Sequence, residues 1–384
     1  MGAAFLSDNI EYGEMIAKLG ARVDFYIQPN DVVYMAEVER EKLSTDLKRP
    51  IEIVRYRNKV SPRIGVSYPI LEKAKVYFNY GHFYQLPELH YMYARPTQGS
   101  SGIQVYGNPN LDFTKSIAYE FGIQYAVAEN YKLDLSGFYK DYFGLVNTQQ
   151  YRRGPATWEF NDNVDYGRAR GLEAELEKRS GGYIGGRVNY QYAFAYGKSS
   201  NEVSNYYARA QAGEIPIQEY PLDWDVRHQL TLNLDLRIPK NDHPKIFGLK
   251  VPDNWGVNII WQYGSGFPFT PATSYPGLIS TLRRNENPIP NSKRMPANSS
   301  VDLRFNKDFD FWKFSYSFTI WVNNLFDRRN IYSVYGTTGR PDTNQEAYRD
   351  IVGDYVTLPG TAIDQNPYNF GAPRNVRLGL TVNF

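Results

Sequence analysis

The stretch NVRLGLTVNF, residues 375–384, alternates strictly between apolar and polar side chains. Its apolar side carries Val376, Leu378, Leu380, Val382 and Phe384. Its polar side carries Arg377, Gly379, Thr381 and Asn383. Alternation with a period of two predicts a β-strand that has one apolar and one polar face. Two interpretations stay open for this strand alone, an edge strand of a soluble sheet and a strand of a transmembrane barrel, so the rest of the chain has to decide.

The composition excludes several classes of protein. The chain has 384 residues, which is long for one soluble domain and ordinary for a large barrel. It contains no cysteine, so disulfides and thiolate chemistry are excluded. Its 43 basic and 41 acidic residues nearly balance, and we expect no nucleic-acid partner. No stretch approaches the roughly 20 apolar residues of a membrane helix, but a barrel stays possible because only alternate residues of its strands face lipid.

Alternating segments recur along the whole chain and predict about twelve strands. Many are ten or more residues long, as a tilted membrane strand of roughly 9–11 residues requires. The clearest runs from Arg227 to Ile238, with leucines on one face and Thr, Asn, Asp and Arg on the other. The predicted strands cover residues 11–27, 59–70, 73–82, 116–127, 131–143, 165–178, 183–196, 227–238, 255–263, 300–309, 312–334 and 375–384.

The connections between these segments alternate in length. The long ones span residues 28–58, 83–115, 144–164, 197–226, 264–299 and 335–373. Short turns lie near Leu71, Glu129, Gly181 and Asp310, and a connection of medium length spans residues 239–254. Long extracellular loops that alternate with short periplasmic turns are typical of outer-membrane barrels. The sequence therefore predicts an all-β, antiparallel transmembrane β-barrel.

The distribution of charge agrees with a lipid-facing surface. In the clearest strands the charged residues lie on the polar face, where they avoid the cost of roughly 2–4 kcal/mol for Lys or Arg at mid-membrane. Lys307 is an exception, because it is in register with Phe305 on the apolar face. It lies near the turn at Asp310, where we expect that cost to fall to roughly 0–1 kcal/mol.

A series of motifs follows the same order along nearly the whole chain. They are SPRIGVSYPI (61–70), YGHFYQLPEL (80–89), GNPNL (107–111), KSIAYEFGIQY (115–125), RARGLEAELEKR (168–179), DVRHQLTLNL (225–234), GSGFPFTP (264–271), VDLRFNKDF (301–309), VNNLFDRRN (322–330) and PRNVRLGLTVNF (373–384). In this order they resemble the C-terminal barrel portion of the TonB-dependent receptors, which are outer-membrane transporters of Gram-negative bacteria.

The last strand also resembles the C-terminal signal by which such barrels are recognised for assembly. The residues that match it are Arg377, Gly379, Val382 and Phe384. The resemblance implies outer-membrane lipid and the barrel-assembly machinery as partners, and the cell outer membrane as the location.

The chain departs from the family pattern at its beginning. Family members have about 22 strands, a signal peptide, a TonB box and a plug domain inside the barrel. The N-terminus, MGAAFLSDNI, has no basic start that would suit a signal peptide. We therefore expect residues 1–384 to be one barrel portion without a plug, a fragment that reaches the TonB complex only through a missing N-terminal part.

The long loops carry the candidate ligand-binding residues. Aromatic rings and arginines on outward loops suit an anionic chelate such as a siderophore, a glycan or a peptide. The alternative is that these loops only pack on one another. The candidates are Tyr84, His90, Tyr91, Tyr93, Arg95, Arg152, Arg153 and Trp158.

Three candidate functions can be compared for the chain. The first is a receptor barrel for TonB-dependent uptake of a scarce extracellular ligand. The second is a porin-like or structural barrel without energised transport. The third, an outer-membrane hydrolase, lacks support because the sequence has no GxSxG nucleophile elbow. We expect no catalytic residue, no metal site and no cofactor.

Overall fold

The computed structural model describes most of the chain. The described residues are 1–29, 53–94, 105–153, 156–179, 181–212, 215, 217–246, 248–271, 289–336, 338–342 and 366–384. Within these ranges the side chains of residues 152, 153, 156–158, 210–212 and 246 are also outside the description.

The described residues are mostly in β-strands. The strands are β1 (Gly2–Tyr12), β2 (Met15–Ile27), β3 (Tyr56–Leu71), β4 (Ala74–Gln85), β5 (Val105–Tyr106), β6 (Thr114–Ala128), β7 (Tyr131–Arg153), β8 (Ala156–Lys178), β9 (Ile184–Gly197), β10 (Tyr220–Pro221), β11 (His228–Ile238), β12 (Lys245–Ile246), β13 (Leu249–Lys250), β14 (Trp255–Gly264), β15 (Pro268–Phe269), β16 (Lys293–Arg294), β17 (Asn298–Phe311), β18 (Phe314–Asn323) and β19 (Asn375–Asn383). The helices are α1 (Leu89–Tyr93), α2 (Ser204–Ala212) and a 3-10 turn at Pro367–Asn369. No helix in the described ranges is long and apolar enough to cross a membrane.

Thirteen long strands form the main sheet. Its order is β1-β2-β3-β4-β6-β7-β8-β9-β11-β14-β17-β18-β19, so each long strand pairs with its neighbour in sequence. The short strands β5 and β10 attach to β8 and β9. The all-β, antiparallel architecture predicted from the alternation is confirmed.

The two ends of these strands differ in the length of their connections. At one end, called the turn end, the strands are joined by residues 13–14, 72–73, 129–130, 179–183, 239–254 and 312–313. At the other end, called the loop end, the connections are 28–55, 86–113, 154–155, 198–227, 265–297 and 324–374. Except at residues 154–155, the chain therefore has the alternation of long loops and shorter turns that the sequence predicted.

The first strand was missed by the sequence analysis. The alternation from residue 11 to residue 27 predicts one strand, but the chain turns at Gly13, whose φ of 59° suits glycine, and forms β1 and β2. β1 carries Asp8 and Ile10 in a stretch without a continuous apolar face. Its pairing with β2 runs without a break from Gly2 to Tyr12.

The predicted loop over residues 144–164 is largely strand. β7 continues to Arg153 and β8 begins at Ala156, so both strands are 23 residues long. Their loop-end portions bury polar side chains such as Asn147, Thr148 and Asn161. A strand that presents no apolar face does not show the alternation on which the prediction relied.

The chain forms two compact units. The first contains Met1–Gly122, Gly137–Arg170 and Ala195–Leu222, and the second contains Ile123–Ser136, Gly171–Phe194 and Asp223–Phe384. In the first unit a small apolar core forms around Tyr26, Met92, Leu111 and Phe113.

In the second unit the apolar face predicted for residues 375–384 continues across neighbouring strands. Leu378 is opposite Ile320, which is itself opposite Phe305. Phe305 is opposite Val257, and Val257 is opposite Leu236. Leu378 and Leu380 are nevertheless 69% and 62% exposed. Ile320, Phe305, Val257 and Leu236 are half-buried. A continuous apolar row that is not fully buried is expected where strands face lipid.

The assignment of this apolar face can be tested at the middle of β11. Leu234 lies in the apolar row opposite Ile259, whereas its neighbour Asn233 lies on the other face and is exposed. Leu234→Arg places a charge in the row at a cost of about 2–4 kcal/mol. We expect a marked loss of the heat-modifiable folded band in outer-membrane fractions, and little loss for the matched control Asn233→Arg. Equal losses for the two variants would contradict the assignment.

Candidate functional site

The structure places seven of the eight candidate residues at the loop end of the first unit. Tyr84 is near the end of β4, and His90, Tyr91 and Tyr93 belong to α1. Arg95 lies outside the described residues. The other three lie on strands whose backbone is described but whose side chains at these positions are not: Arg152 and Arg153 on β7 and Trp158 on β8.

Tyr93 is a packing residue. It lies against the apolar core, where its hydroxyl is 3.0 Å from the hydroxyl of Tyr26 and donates to Gln28 Oε1 at 3.1 Å. Burial, followed by the contact with Tyr26, raises the pKa of the Tyr93 phenol well above its usual value. The phenol therefore remains a hydrogen-bond donor at neutral pH. Tyr84 packs against the same core.

Tyr91 links α1 to two other segments. Its backbone oxygen accepts a hydrogen bond of 3.1 Å from Asn161 Nδ2 on β8. Burial, together with a hydrogen bond to Glu202, raises the pKa of the Tyr91 phenol to about 12. The His90 ring lies against the Tyr91 ring, tilted by 48° with 3.8 Å between ring centroids, and His90 Nδ1 lies 3.3 Å from Glu88 Oε2.

The GNPNL motif anchors the loop between β4 and β6. The backbone oxygen of Pro109 accepts hydrogen bonds of 2.7 Å from Arg57 Nη2 and from Gln28 Nε2. Asn110 Oδ1 accepts a hydrogen bond of 3.1 Å from the backbone N–H of Val54. Leu111 is fully buried in the core. The motif thus holds the loop against β2, β3 and the segment before β3.

Arg57 and Gln28 do not stand out in the sequence. Both are buried, with 6% and 2% exposure; Arg57 is near the start of β3 and Gln28 directly follows β2. A buried arginine costs free energy unless its donors are satisfied, and here a carbonyl oxygen of the folded-back loop accepts one of them. Their polar character at the loop end of otherwise alternating strands was the only available signal.

A second polar network holds α2 against the β7–β8 hairpin. Asn147 Nδ2 donates to Asp165 Oδ2 at 2.5 Å, and Asn147 Oδ1 accepts from the backbone N–H of Asn205 at 3.1 Å. Arg209 of α2 forms an ion pair with Glu159, which is 8% exposed. Because these charges and amides are paired with one another, the network orders the loop end of the hairpin.

Several aromatic side chains at this end are exposed or half-buried. Tyr106 stacks on Phe160 at 5.2 Å, and Phe160 is adjacent in sequence to the Asn161 that contacts Tyr91. Tyr207 on α2 is 47% exposed. We call His90, Tyr91, Tyr106, Phe160 and Tyr207 the aromatic surface. Among the described residues, no group of three His, Asp or Glu side chains is arranged to hold a metal ion.

The family of the chain is established by a match to a family model. The model described as "TonB dependent receptor-like, beta-barrel" matches residues 2–325. The chain belongs to this family. No curated protein sequence matches it.

Several solved structures have a fold similar to that of this receptor barrel. The ferric-catecholate import receptor Fiu of Escherichia coli K12 is 16% identical with a TM-score of 0.55, and the match covers 99% of this chain and 44% of Fiu. The outer-membrane transporter YddB of E. coli is 13% identical with a TM-score of 0.60, covering 86% of this chain and 41% of YddB. FpvA of Pseudomonas aeruginosa, solved with an iron–pyoverdine complex, is 14% identical with a TM-score of 0.57. The match covers 99% of this chain and 38% of FpvA.

The receptor barrel is shorter than the proteins that it resembles. It spans less than half the length of each of these three solved structures. At such low identity the likeness shows the fold alone.

Other family motifs of the receptor barrel also anchor loops, in the second unit. Asp225, which is 1% exposed, forms ion pairs with Arg294 and with Arg227, the latter at 3.0 Å. Arg294 Nη1 also donates to the backbone oxygen of Asp225 at 2.7 Å. In GSGFPFTP, a Cβ on Gly266 would meet the backbone oxygen of Met295 at 1.6 Å, so only glycine fits there. These motifs can be recognised in the sequence because the loop contacts that they make require a particular charged residue or a glycine at each position.

A glycine substitution tests whether the GNPNL motif orders the aromatic surface. In Gly107→Ala the new Cβ would lie 2.5 Å from the backbone N of Ala94 and 2.6 Å from that of Tyr93, at the end of α1. Such overpacking costs about 1–3 kcal/mol. We expect faster proteolytic cleavage of the β4–β6 loop on intact cells.

A second glycine provides the matched control. A Cβ on Gly20 of β2 would meet its nearest neighbour at 3.6 Å, which is ordinary contact. Gly20→Ala should therefore leave the cleavage rate unchanged. If the β4–β6 loop of Gly107→Ala resists proteolysis as well as the loop of the control, then the order of α1 does not depend on the GNPNL motif.

Proposed function

We propose that the chain is the wall and loop portion of an outer-membrane receptor that imports a scarce extracellular ligand with energy from the TonB complex. The observation that carries this proposal is the family match over residues 2–325. The apolar row of β11–β19, which is exposed on β19 and half-buried on the other strands, supports placement in the outer membrane, because an incompletely buried apolar face is stable in an apolar environment. Coupling to the TonB complex is proposed for the complete receptor, through an N-terminal part like that of its relatives.

The proposed ligand is a siderophore, a glycan or a peptide that contacts the aromatic surface. Tyrosine combines a large apolar ring with a polar hydroxyl, which suits ligands that mix apolar and hydrogen-bonding groups. Among the proteins of similar fold, Fiu is a ferric-catecholate import receptor and FpvA was solved with an iron–pyoverdine complex. Arg95, Arg152, Arg153 and Trp158 remain proposed contact residues on the strength of the sequence.

The proposed assembly signal is available at the end of β19. Phe384 is fully exposed and Val382 is 40% exposed. Gly379 is opposite Thr319, where a Cβ would lie 2.5 Å from the threonine hydroxyl oxygen. Recognition of Arg377, Gly379, Val382 and Phe384 by the barrel-assembly machinery is part of the proposal.

Energised uptake can be measured in the natural host. We expect deletion of the gene to abolish high-affinity uptake of one member of a panel of radiolabelled iron siderophores, oligosaccharides and oligopeptides. Restoring the gene should restore uptake, and a protonophore should abolish it, because TonB uses the proton gradient. Uptake that resists the protonophore and rises linearly with ligand concentration would instead indicate a porin-like barrel.

The contribution of the aromatic surface can be measured with the ligand so identified. Tyr207→Ala removes an exposed ring on α2, and we expect affinity to fall by about 5- to 30-fold, the effect of roughly 1–2 kcal/mol. The matched control is Tyr12→Ala, which removes a tyrosine that is 78% exposed at the turn end of β1. Binding to whole cells at equal surface expression gives both affinities. Similar affinities for the two variants would place the ligand elsewhere.

A further inference from the structure

The connection between β11 and β14 is unlike the other turn-end connections. It runs through residues 239–254, whereas four of the others contain two residues each. Within it β12 and β13 form a small hairpin that is separate from the main sheet. The function proposed above assigns no role to this hairpin.

The hairpin places two lysines directly opposite each other. Lys245 is the register partner of Lys250, and both side chains are exposed. Like charges in directly opposite positions of an antiparallel pair are destabilising. A local conflict of this kind is expected where a residue serves function, so the pair suggests an anionic partner.

The acidic groups around the hairpin are already engaged. Asp242 accepts a hydrogen bond of 2.8 Å from the Tyr183 hydroxyl. Asp253 accepts one of 2.7 Å from the backbone N–H of Asn241 and lies 3.6 Å from Lys307. Asp310 lies 2.7 Å from Lys240. Among the described residues, no acidic side chain forms an ion pair with Lys245 or Lys250.

The base of the hairpin is tied to an aromatic turn. The Lys240–Asp310 ion pair joins residues 239–254 to the β17–β18 turn. That turn carries Phe311 and Trp312, which are 68% and 82% exposed. Exposed aromatic residues at strand ends are typical of the level at which a barrel meets lipid headgroups. Leu249, adjacent to Lys250, is 74% exposed as well.

We propose that the β12–β13 hairpin binds the anionic headgroups of the phospholipid leaflet on the turn side of the barrel. The two lysines contact headgroup phosphates, and Leu249 enters the boundary of the acyl chains. A cluster of cations beside an apolar residue at this depth has the composition of an interfacial lipid contact. The proposal rests on the membrane placement in the proposed function.

A site-specific fluorophore can report the lipids around the hairpin. Because the chain has no cysteine, His243→Cys, at an exposed position of the connection, gives one labelling site. The intact labelled protein is reconstituted into phosphatidylcholine vesicles that contain a minority of phosphatidylglycerol. Two samples are prepared. In one the phosphatidylglycerol carries a quenching group near its headgroup, and in the other the phosphatidylcholine carries it.

We expect the phosphatidylglycerol quencher to be about twice as effective as the phosphatidylcholine quencher at equal mole fraction, since cations concentrate anionic lipid nearby. High salt should reduce the preference. Lys245→Gln with Lys250→Gln should abolish it. The control pair Lys73→Gln with Lys75→Gln removes the same charge at another turn-end connection and should leave it intact.

The possible failures are distinguishable. A protein that inserts, as judged by heat-modifiability, but whose label is quenched equally by both lipids or by neither overturns the hairpin proposal alone. Equal loss of the preference in both double variants would also overturn it, because the effect would then belong to the general charge of the turn end. A protein that does not insert into vesicles at all would contradict the membrane placement itself.

Discussion

The structure depends on one constraint: hydrocarbon offers no hydrogen bonds to a polypeptide backbone. In lipid, the N–H and C=O groups of a spanning segment must be satisfied within the protein. Antiparallel pairing of sequence neighbours meets this requirement for the strands between β1 and β19, and for the edge of each of these two strands that faces its sheet neighbour. The short turns at one end follow from it, because two residues suffice to return a strand to its neighbour. Only the side chains then distinguish the lipid face, and in β11–β19 they form one apolar row.

The same constraint explains how the long loops are held. The polar faces of the strands offer little apolar surface, so loop anchoring relies on hydrogen bonds and ion pairs in addition to the small core around Tyr26, Met92, Leu111 and Phe113. Arg57 and Gln28 bind the backbone of Pro109, and Asp225 binds two arginines. These contacts offset part of the cost of burying polar and charged groups. The family motifs lie where a loop needs a particular hydrogen-bond or ion-pair partner, or where only glycine fits. The aromatic surface is therefore presented on an ordered base.

The sequence predicted the strands that carry an apolar row and failed where that row is missing. Residues 227–238 and 375–384 alternate as expected for strands that present every second side chain to lipid. The loop-end half of the β7–β8 hairpin has Asn147 and Asn161 buried among other polar groups, so its strands left no periodic signal. Arg57 could not be singled out either, because its partner is a carbonyl oxygen from a loop 52 residues away. Partners of this kind follow from the folded chain and not from spacing.

Lys307 shows how a local exception is resolved by a neighbouring segment. It lies in the apolar row opposite Phe318, where a free ammonium group would be poorly accommodated. Its Nζ contacts the backbone oxygen of Asp253 and lies 3.6 Å from the Asp253 carboxylate. The hydrogen bond from the Asn241 N–H, assisted by Lys307, lowers the pKa of Asp253 and keeps it charged. Asp253 belongs to the long connection 239–254, so this segment both neutralises the misplaced lysine and leaves Lys245 and Lys250 to face outward. The unusual length of one turn-end connection thus has a structural reason in addition to its proposed lipid contact.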